Sequence, residues 1–527
     1  MTRSAKYILL IILNIFIFNH HAISAELPPA VREALRRANI PVSSVGIVVR
    51  EIHSPAPLIQ VNARQAMNPA STMKLLTTYA ALELLGPAYA WKTEAYVEGK
   101  LDNGVLHGNL VIKGYGNPKM YSEHLWLWLR ELRNLGLRDI QGDLILDHTA
   151  FAPQETDPAA FDNDPLRAYN AGPDALLLNY NALRLRFIPG DGKVNVFTEP
   201  GLSGITLDNR LTLVQRRNCG NWDGNIDVQL DGNAIRLKGT YPAPCGERDK
   251  AISPLPHSRY FDAVFRSLWQ EMGGTLAGNT RDGSTPASAE LFATHYSPPL
   301  SEIIRDINKF SNNVMARQLF LSLSLSGAQK FSGFFTNNEP LTFRFSAPQP
   351  EGEESYESPH RFDVDGTPAI NTPPASTPIA GLTSRNPPAR VELSEIVLRK
   401  WVAKKGFDFP ELVLENGAGL SRKERISPFN MSQLLQDIQR SPFSAEIEAS
   451  LPIVGVDGTM RKRHDNCAVT SHGHFKTGSL EGVKSIAGYL QSRSGKQWIL
   501  VFIINHPNAS LGQQAQDELI EWLEQSN

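Results

Sequence analysis

Apolar residues recur at spacings of three and four after position 74 (Leu75, Leu76, Tyr79, Ala80, Leu82, Leu84, Leu85), and Gly86-Pro87 closes the run. With Pro69 near its start, this pattern predicts a mostly buried helix with Ser71 in its first turn. Upstream, residues 45–52 are β-branched and apolar, Ser54-Pro55-Ala56-Pro57 interrupts them, and 58–61 resumes, which predicts two strands of a hairpin. Beyond the helix the texture changes. Short strand-like pieces at 110–113, 143–146, 183–188 and 193–197, parted by glycine-rich turns, surround one helical pattern at 122–135. A β-rich insertion over about 91–295 is expected.

Helical periodicity returns at 300–304 and is expected to run on through 307–319. Further helices are expected at 393–404, 430–439 and 513–524, and strands at 485–490 and 498–505 form a second hairpin. Residues 26–90 and 296–527 therefore build one helix-flanked sheet, into which the middle of the chain is inserted. Within the second part, 331–388 holds Glu351-Gly352-Glu353-Glu354 and many prolines, serines and threonines with no sustained period. That stretch reads as a flexible surface insertion.

Composition sharpens this picture in three places. A 527-residue chain with 41% hydrophobic and 20% charged residues and a net charge of -2 is globular, contains more than one domain and implies no nucleic acid partner. Arg3 and Lys6 precede an apolar run at 7–18, and Ala22, Ser24 and Ala25 offer a cleavage site. Residues 1–25 thus read as a secretory signal peptide to the periplasm rather than a stable transmembrane anchor. Of three cysteines, Cys219 and Cys245 lie in one region, each beside glycine, and are expected to pair, closing a loop worth roughly 3 kcal/mol. Cys467 stands with His464, His472 and His474, but their spacing fits no standard zinc pattern, so no metal and no cofactor are expected.

The candidate chemistry begins with Ser71 and Lys74, three residues apart and so on one helix face. A lysine held against an apolar face loses its proton readily enough to act as a base toward a hydroxyl. It is the only Ser-x-x-Lys in the chain, and Ser311-Asn312-Asn313 and Lys476-Thr477-Gly478-Ser479 follow in order. The trio is the signature of active-site-serine penicillin-recognising enzymes.

With the stretches at 104–110, 142–147, 175–181, 417–422 and 451–459, the chain resembles the D-Ala-D-Ala carboxypeptidases/endopeptidases among the class C low-molecular-mass penicillin-binding proteins. The likeness spans nearly all of the mature sequence except 331–388. It implies an α/β (α+β) fold of the penicillin-binding/serine β-lactamase-like kind, an antiparallel sheet flanked by helices and interrupted by two smaller inserted domains. It also implies that Ser71 attacks the carbonyl between two D-alanines of a peptidoglycan peptide. Lys74 takes the serine proton, and Ser311 with Lys476 relays a proton to the departing amine. By the same resemblance, the N–H groups of Ser71 and Ser479 hold the oxyanion and Asn313 bonds the substrate amide. The hydroxyls of Thr477 and Ser479, beside Gly478, bind the terminal carboxylate, and Lys476 is asked mainly to stay charged. Asp147 matches a family aspartate near the site. β-Lactams, as mimics of the dipeptide, are expected inhibitors. Three departures stand out: Asn416 and Asn117 where the family usually or often has aspartate, and Ser479 where it more usually has threonine. A serine β-lactamase shares the three motifs but needs an acidic deacylating loop, for which 311–476 offers no candidate. A non-catalytic scaffold is opposed by the intact motif residues.

Overall fold

In the computed structural model, the described residues are 26–154, 157–330, 387–463 and 472–526. The signal segment, most of 331–388, and His464 and Cys467 lie outside them. A five-stranded antiparallel sheet carries the catalytic half, in the order Gly473–Leu480, Val483–Gln491, Gln497–Asn505, Val45–Glu51, Ile59–Val61. The strand Gln497–Asn505 is a nearly unbroken apolar run because both its faces are covered. On one face, helices Pro29–Arg37 and Gln513–Glu524 pack side by side. Their Val31, Leu35, Leu519, Ile520 and Leu523 close a core with Ile47, Val49, Phe502 and Ile504. Alternation turns Gly46 to the other face, where a Cβ would lie 2.6 Å from Pro428 Cγ, so helix Pro428–Arg440 can press directly on the sheet.

Helix Lys74–Leu85 is buried almost all round, which explains its lack of a polar stripe. A 3-10 turn, Ala70–Met73, precedes it and carries Ser71. The insertion is built on the hairpin Lys92–Asp102 with Val105–Gly114, extended by short strands, and on two three-stranded sheets. Its sheets share one apolar core, including Leu110, Ile112, Leu146, Phe187, Tyr241 and Trp269. The expected Cys219–Cys245 disulfide is present there. Lys119 ties the insertion to helix Leu300–Lys309 through Glu302 and Asp306, both at 2.7 Å.

One expectation needs correction. The helix predicted to run through 307–319 is two helices, Leu300–Lys309 and Asn313–Lys330, broken at 310–312. Ser311 sits at the break with φ 55°, a left-handed conformation that no local glycine or proline announces. One local and one distant contact flank it: Asn312 Oδ1 accepts the Met315 N–H at 3.0 Å as a cap, and Lys476 reaches the Ser311 hydroxyl.

Candidate active site

The nucleophile turn is held from both ends of the chain. Asn68 Oδ1 accepts the Ala70 N–H at 2.9 Å, the Asn68 N–H goes to Asn505 Oδ1 at 2.8 Å, and Asn68 Nδ2 donates to Ser421 O at 2.8 Å. Ala70 is left-handed (φ 47°), a strained residue immediately before Ser71. Ser71 itself is 8% exposed.

Around Lys74 the geometry is specific. Its Nζ lies 2.9 Å from Ser71 Oγ and 2.7 Å from Asn313 Oδ1, and it donates to the carbonyl of Ala418. Asn313 Oδ1 and Ala418 O only accept, whereas a hydroxyl can also donate. A neutral amine that spends its two hydrogens on those acceptors therefore turns its lone pair to the Ser71 hydroxyl. Burial, reinforced by the positive charge of Lys476, holds the Lys74 pKa well below the ordinary lysine value; Arg317 adds to this and Glu424 opposes it. The arrangement suits proton abstraction from Ser71 near neutral pH.

Lys476 is also fully buried and donates to Ser311 Oγ at 2.8 Å and to Thr477 O at 2.7 Å. Burial pushes its pKa down to about 7. The expected permanent charge is thus not intrinsic to this pocket, which supplies no carboxylate beside Lys476 among the described hydrogen bonds. Gly478 leaves room for close approach: a Cβ there would lie 2.3 Å from Ser485 Oγ, 2.8 Å from Pro69 O and 2.9 Å from Ser71 N. Thr477 is partly exposed, and its hydroxyl meets that of Thr459 at 2.7 Å. Ser479 is exposed at the outer end of the same strand.

Lys74 thus bonds Ser71 and Asn313, Lys476 bonds Ser311, and the two sets are neighbours: the charge of Lys476 acts on Lys74, and the strand of Lys476, Thr477, Gly478 and Ser479 abuts the Ser71 turn at Gly478. Asp147 is not drawn into either set. Its buried carboxylate accepts from the N–H and hydroxyl groups of Thr149 and Thr285 and lies 3.2 Å from Lys113 Nζ. Burial alone raises its pKa, but these bonds outweigh that and bring it to about 2. Asp147 therefore braces the insertion. Two participants escaped the sequence reading, Thr459 and the Ala418 carbonyl. The only sequence signal for the second is Gly417 and Gly419 on either side of it, both left-handed, with Gly419 against the Ala70 carbonyl. The turn also borders a crevice of about 830 Å³ lined by Arg317, Arg390, Arg422, Glu415 and Phe161 among others, and by none of the motif residues.

A five-stranded antiparallel sheet between helices, with a serine–lysine pair facing its edge strand, is the fold of the penicillin-binding and serine β-lactamase-like class. The crystal structure of penicillin binding protein 4 from Haemophilus influenzae superposes with a TM-score of 0.71 at 22% identity, covering 94% of this chain and 99% of that one. The same protein in complex with a β-lactam superposes at 0.67. By sequence, the chain is 22% identical over 467 residues to D-alanyl-D-alanine carboxypeptidase DacB of H. influenzae, spanning 88% of this chain and 85% of that one. It is 26% identical over 472 residues to a D-alanyl-D-alanine carboxypeptidase of Actinomadura sp., spanning 86% and 76%. The model of the D-Ala-D-Ala carboxypeptidase 3 (S13) family matches residues 27–338 and 380–526, and the chain belongs to that family.

Proposed function

We propose that this protein is a serine-type D-Ala-D-Ala carboxypeptidase and/or D,D-endopeptidase that works through an acyl-enzyme on Ser71. The observation that carries the reading is the Lys74 amine, buried and flanked by two obligate acceptors so that its remaining site faces the Ser71 hydroxyl. Ser71 Oγ attacks the carbonyl between the D-alanines while its proton passes to Lys74. The tetrahedral oxyanion is held by the N–H groups of Ser71 and Ser479. Collapse expels the terminal amine, to which Ser311 and Lys476 relay the proton that Lys74 took from Ser71. Water then releases the acyl group and restores Ser71. The substrate carboxylate binds at Lys476, Thr477 and Ser479, and Asn313 bonds the substrate amide. A β-lactam follows the same first step, but its leaving amine stays tethered, so the acyl-enzyme persists. Peptidoglycan peptides place the enzyme in the periplasm, in keeping with the signal-like first 25 residues. No helix among the described residues is long and apolar enough to cross a membrane.

The test is incubation of the mature protein with purified pentapeptide and cross-linked muropeptides, with products identified by mass spectrometry. Loss of a terminal D-alanine defines carboxypeptidase action and opening of cross-links defines endopeptidase action. Intact mass after benzylpenicillin should show one adduct on the Ser71 peptide, absent in Ser71→Ala. An adduct that persists in that variant removes the mechanism.

The pH dependence follows from Lys476. With a pKa of about 7 in the free enzyme, it is cationic below that pH and neutral above it. The capture of a substrate carboxylate therefore weakens as pH rises through 7, and kcat/KM for a free-acid peptide should decline on that side. Binding the carboxylate favours the protonated lysine, so the corresponding limb of kcat should lie higher. A kcat/KM that keeps rising through alkaline pH would refute this role of Lys476.

A further inference from the structure

Beneath the turn that carries Ala418 lies a fully buried carboxylate, Glu424. Its Oε1 accepts three successive backbone N–H groups, from Glu415 at 3.2 Å, Asn416 at 3.0 Å and Gly417 at 3.0 Å. Converging amides of this kind make an anion-binding concavity. The Glu424 N–H is in turn taken by Ser421 Oγ at 3.1 Å, and that hydroxyl donates to Glu415 Oε2 at 2.5 Å. Glu424 Oε2 has no hydrogen-bond partner, so the side chain is committed to the turn through one oxygen.

The other side of the same turn faces the nucleophile. Gly417 O accepts the Thr77 hydroxyl at 2.7 Å, Ala418 O accepts from Lys74 Nζ, and Gly419 packs on the backbone of Ala70 and Ser71. Asn416 ties the turn neutrally: its Oδ1 accepts the Ala418 N–H and its Nδ2 donates to Leu420 O, both at 2.9 Å. The buried acid under the turn is Glu424: burial raises its pKa, while the three backbone N–H groups and Lys74 favour the carboxylate.

We propose that Glu424 is a positioning residue for the acylation step, fixing the Ala418 carbonyl against Lys74 Nζ and placing a carboxylate behind it. The inference rests on the reading of Lys74 as the base. The charged groups that enter this balance are Lys74 on the nucleophile helix, Arg317 on helix Asn313–Lys330, Glu415 on the turn itself, and Lys476 beyond Lys74. Lys476 and Arg317 favour neutral Lys74, as burial does, and the charge of Glu424 opposes them. Without the Ala418 acceptor in place, one Lys74 N–H is free to turn toward Ser71 and the lone pair loses its aim.

The experiment compares wild type, Glu424→Gln and Glu424→Asp in the full mature protein. Benzylpenicillin acylation rates are read by intact mass from about pH 5 to pH 9, with thermal melting of each variant alongside. Glutamine keeps an acceptor for the three N–H groups and removes the charge. Its acid limb should move to lower pH by roughly one unit, in the range of a close opposite charge. Aspartate keeps the charge but draws the oxygen back from the turn. Its limb should stay in place while the rate falls at least about tenfold. A Glu424→Gln limb that superimposes on wild type overturns the electrostatic role, and a Glu424→Asp rate equal to wild type overturns the positioning role. If Glu424→Gln does not fold, the Glu424→Asp profile decides alone, since an unmoved rate or a moved limb in that variant contradicts the proposal. Failure of wild type itself to acylate would remove the Ser71–Lys74 reading, a different result from either.

Discussion

Lys74→Arg should lose β-lactam acylation by at least about a thousandfold, roughly 4 kcal/mol of barrier, whereas Lys476→Arg should keep a measurable part of it. Both lysines are fully buried within reach of an active-site hydroxyl, so position alone does not separate them. Chemistry does. Lys74 has to present a lone pair to Ser71, and arginine at neutral pH has none to offer. Lys476 has to offer positive charge and a donor to Ser311, both of which arginine retains. Its larger planar head, in a pocket filled by Ser311 and the Thr477 carbonyl, should weaken substrate binding. Acylation rates across pH, with far-UV CD to establish folding, make the comparison. If Lys74→Arg acylates as fast as Lys476→Arg, Lys74 is not the base.

Gly478→Ala should cost acylation at least about a hundredfold, roughly 2.7 kcal/mol. The added methyl would meet Ser485 Oγ at 2.3 Å, Pro69 O at 2.8 Å and Ser71 N at 2.9 Å. The Ser485 rotor can turn away, although its hydroxyl already donates to Pro69 O at 2.6 Å, but the other two atoms are backbone. Relief therefore comes by moving the edge strand off the nucleophile turn, which displaces the Ser479 N–H from Ser71. Overpacking of this kind costs about 1–3 kcal/mol of stability, so the variant should still fold. A folded Gly478→Ala protein that acylates within tenfold of wild type would show that the strand and turn need not touch this closely.

The contrast between what the sequence disclosed and what it hid has a physical basis. The hairpin of 485–490 with 498–505, the Ser71–Lys74 face and the Cys219–Cys245 pairing depend on short-range pattern or on residue type, and these were readable. The break at Ser311 was not. Phe310-Ser311-Asn312 contains no residue that forces a left-handed turn, and the partner of the Ser311 hydroxyl, Lys476, lies on a strand far along the chain. Glu424 was hidden for the opposite reason. In Ser421-Arg422-Lys423-Glu424-Arg425 it reads as one charge of a solvated turn, and only folding reveals that it points inward while its neighbours point out. Asp147 was legible as a residue with a task, but its partners, Thr149, Thr285 and Lys113, assign that task to the insertion.

The pairing of Asn68 with Asn505 joins positions 437 residues apart, and the strand beside it is the last strand of the chain. Loop closure over such a span becomes possible only once the chain through Asn505 has been made. The insertion, with its own apolar core, has everything it needs to collapse earlier. A nascent or half-exported chain thus carries Ser71 on a turn with no sheet behind it and no Lys476 in front. The site can therefore assemble only after the strand Gln497–Asn505 has joined the sheet, so synthesis order places its completion late.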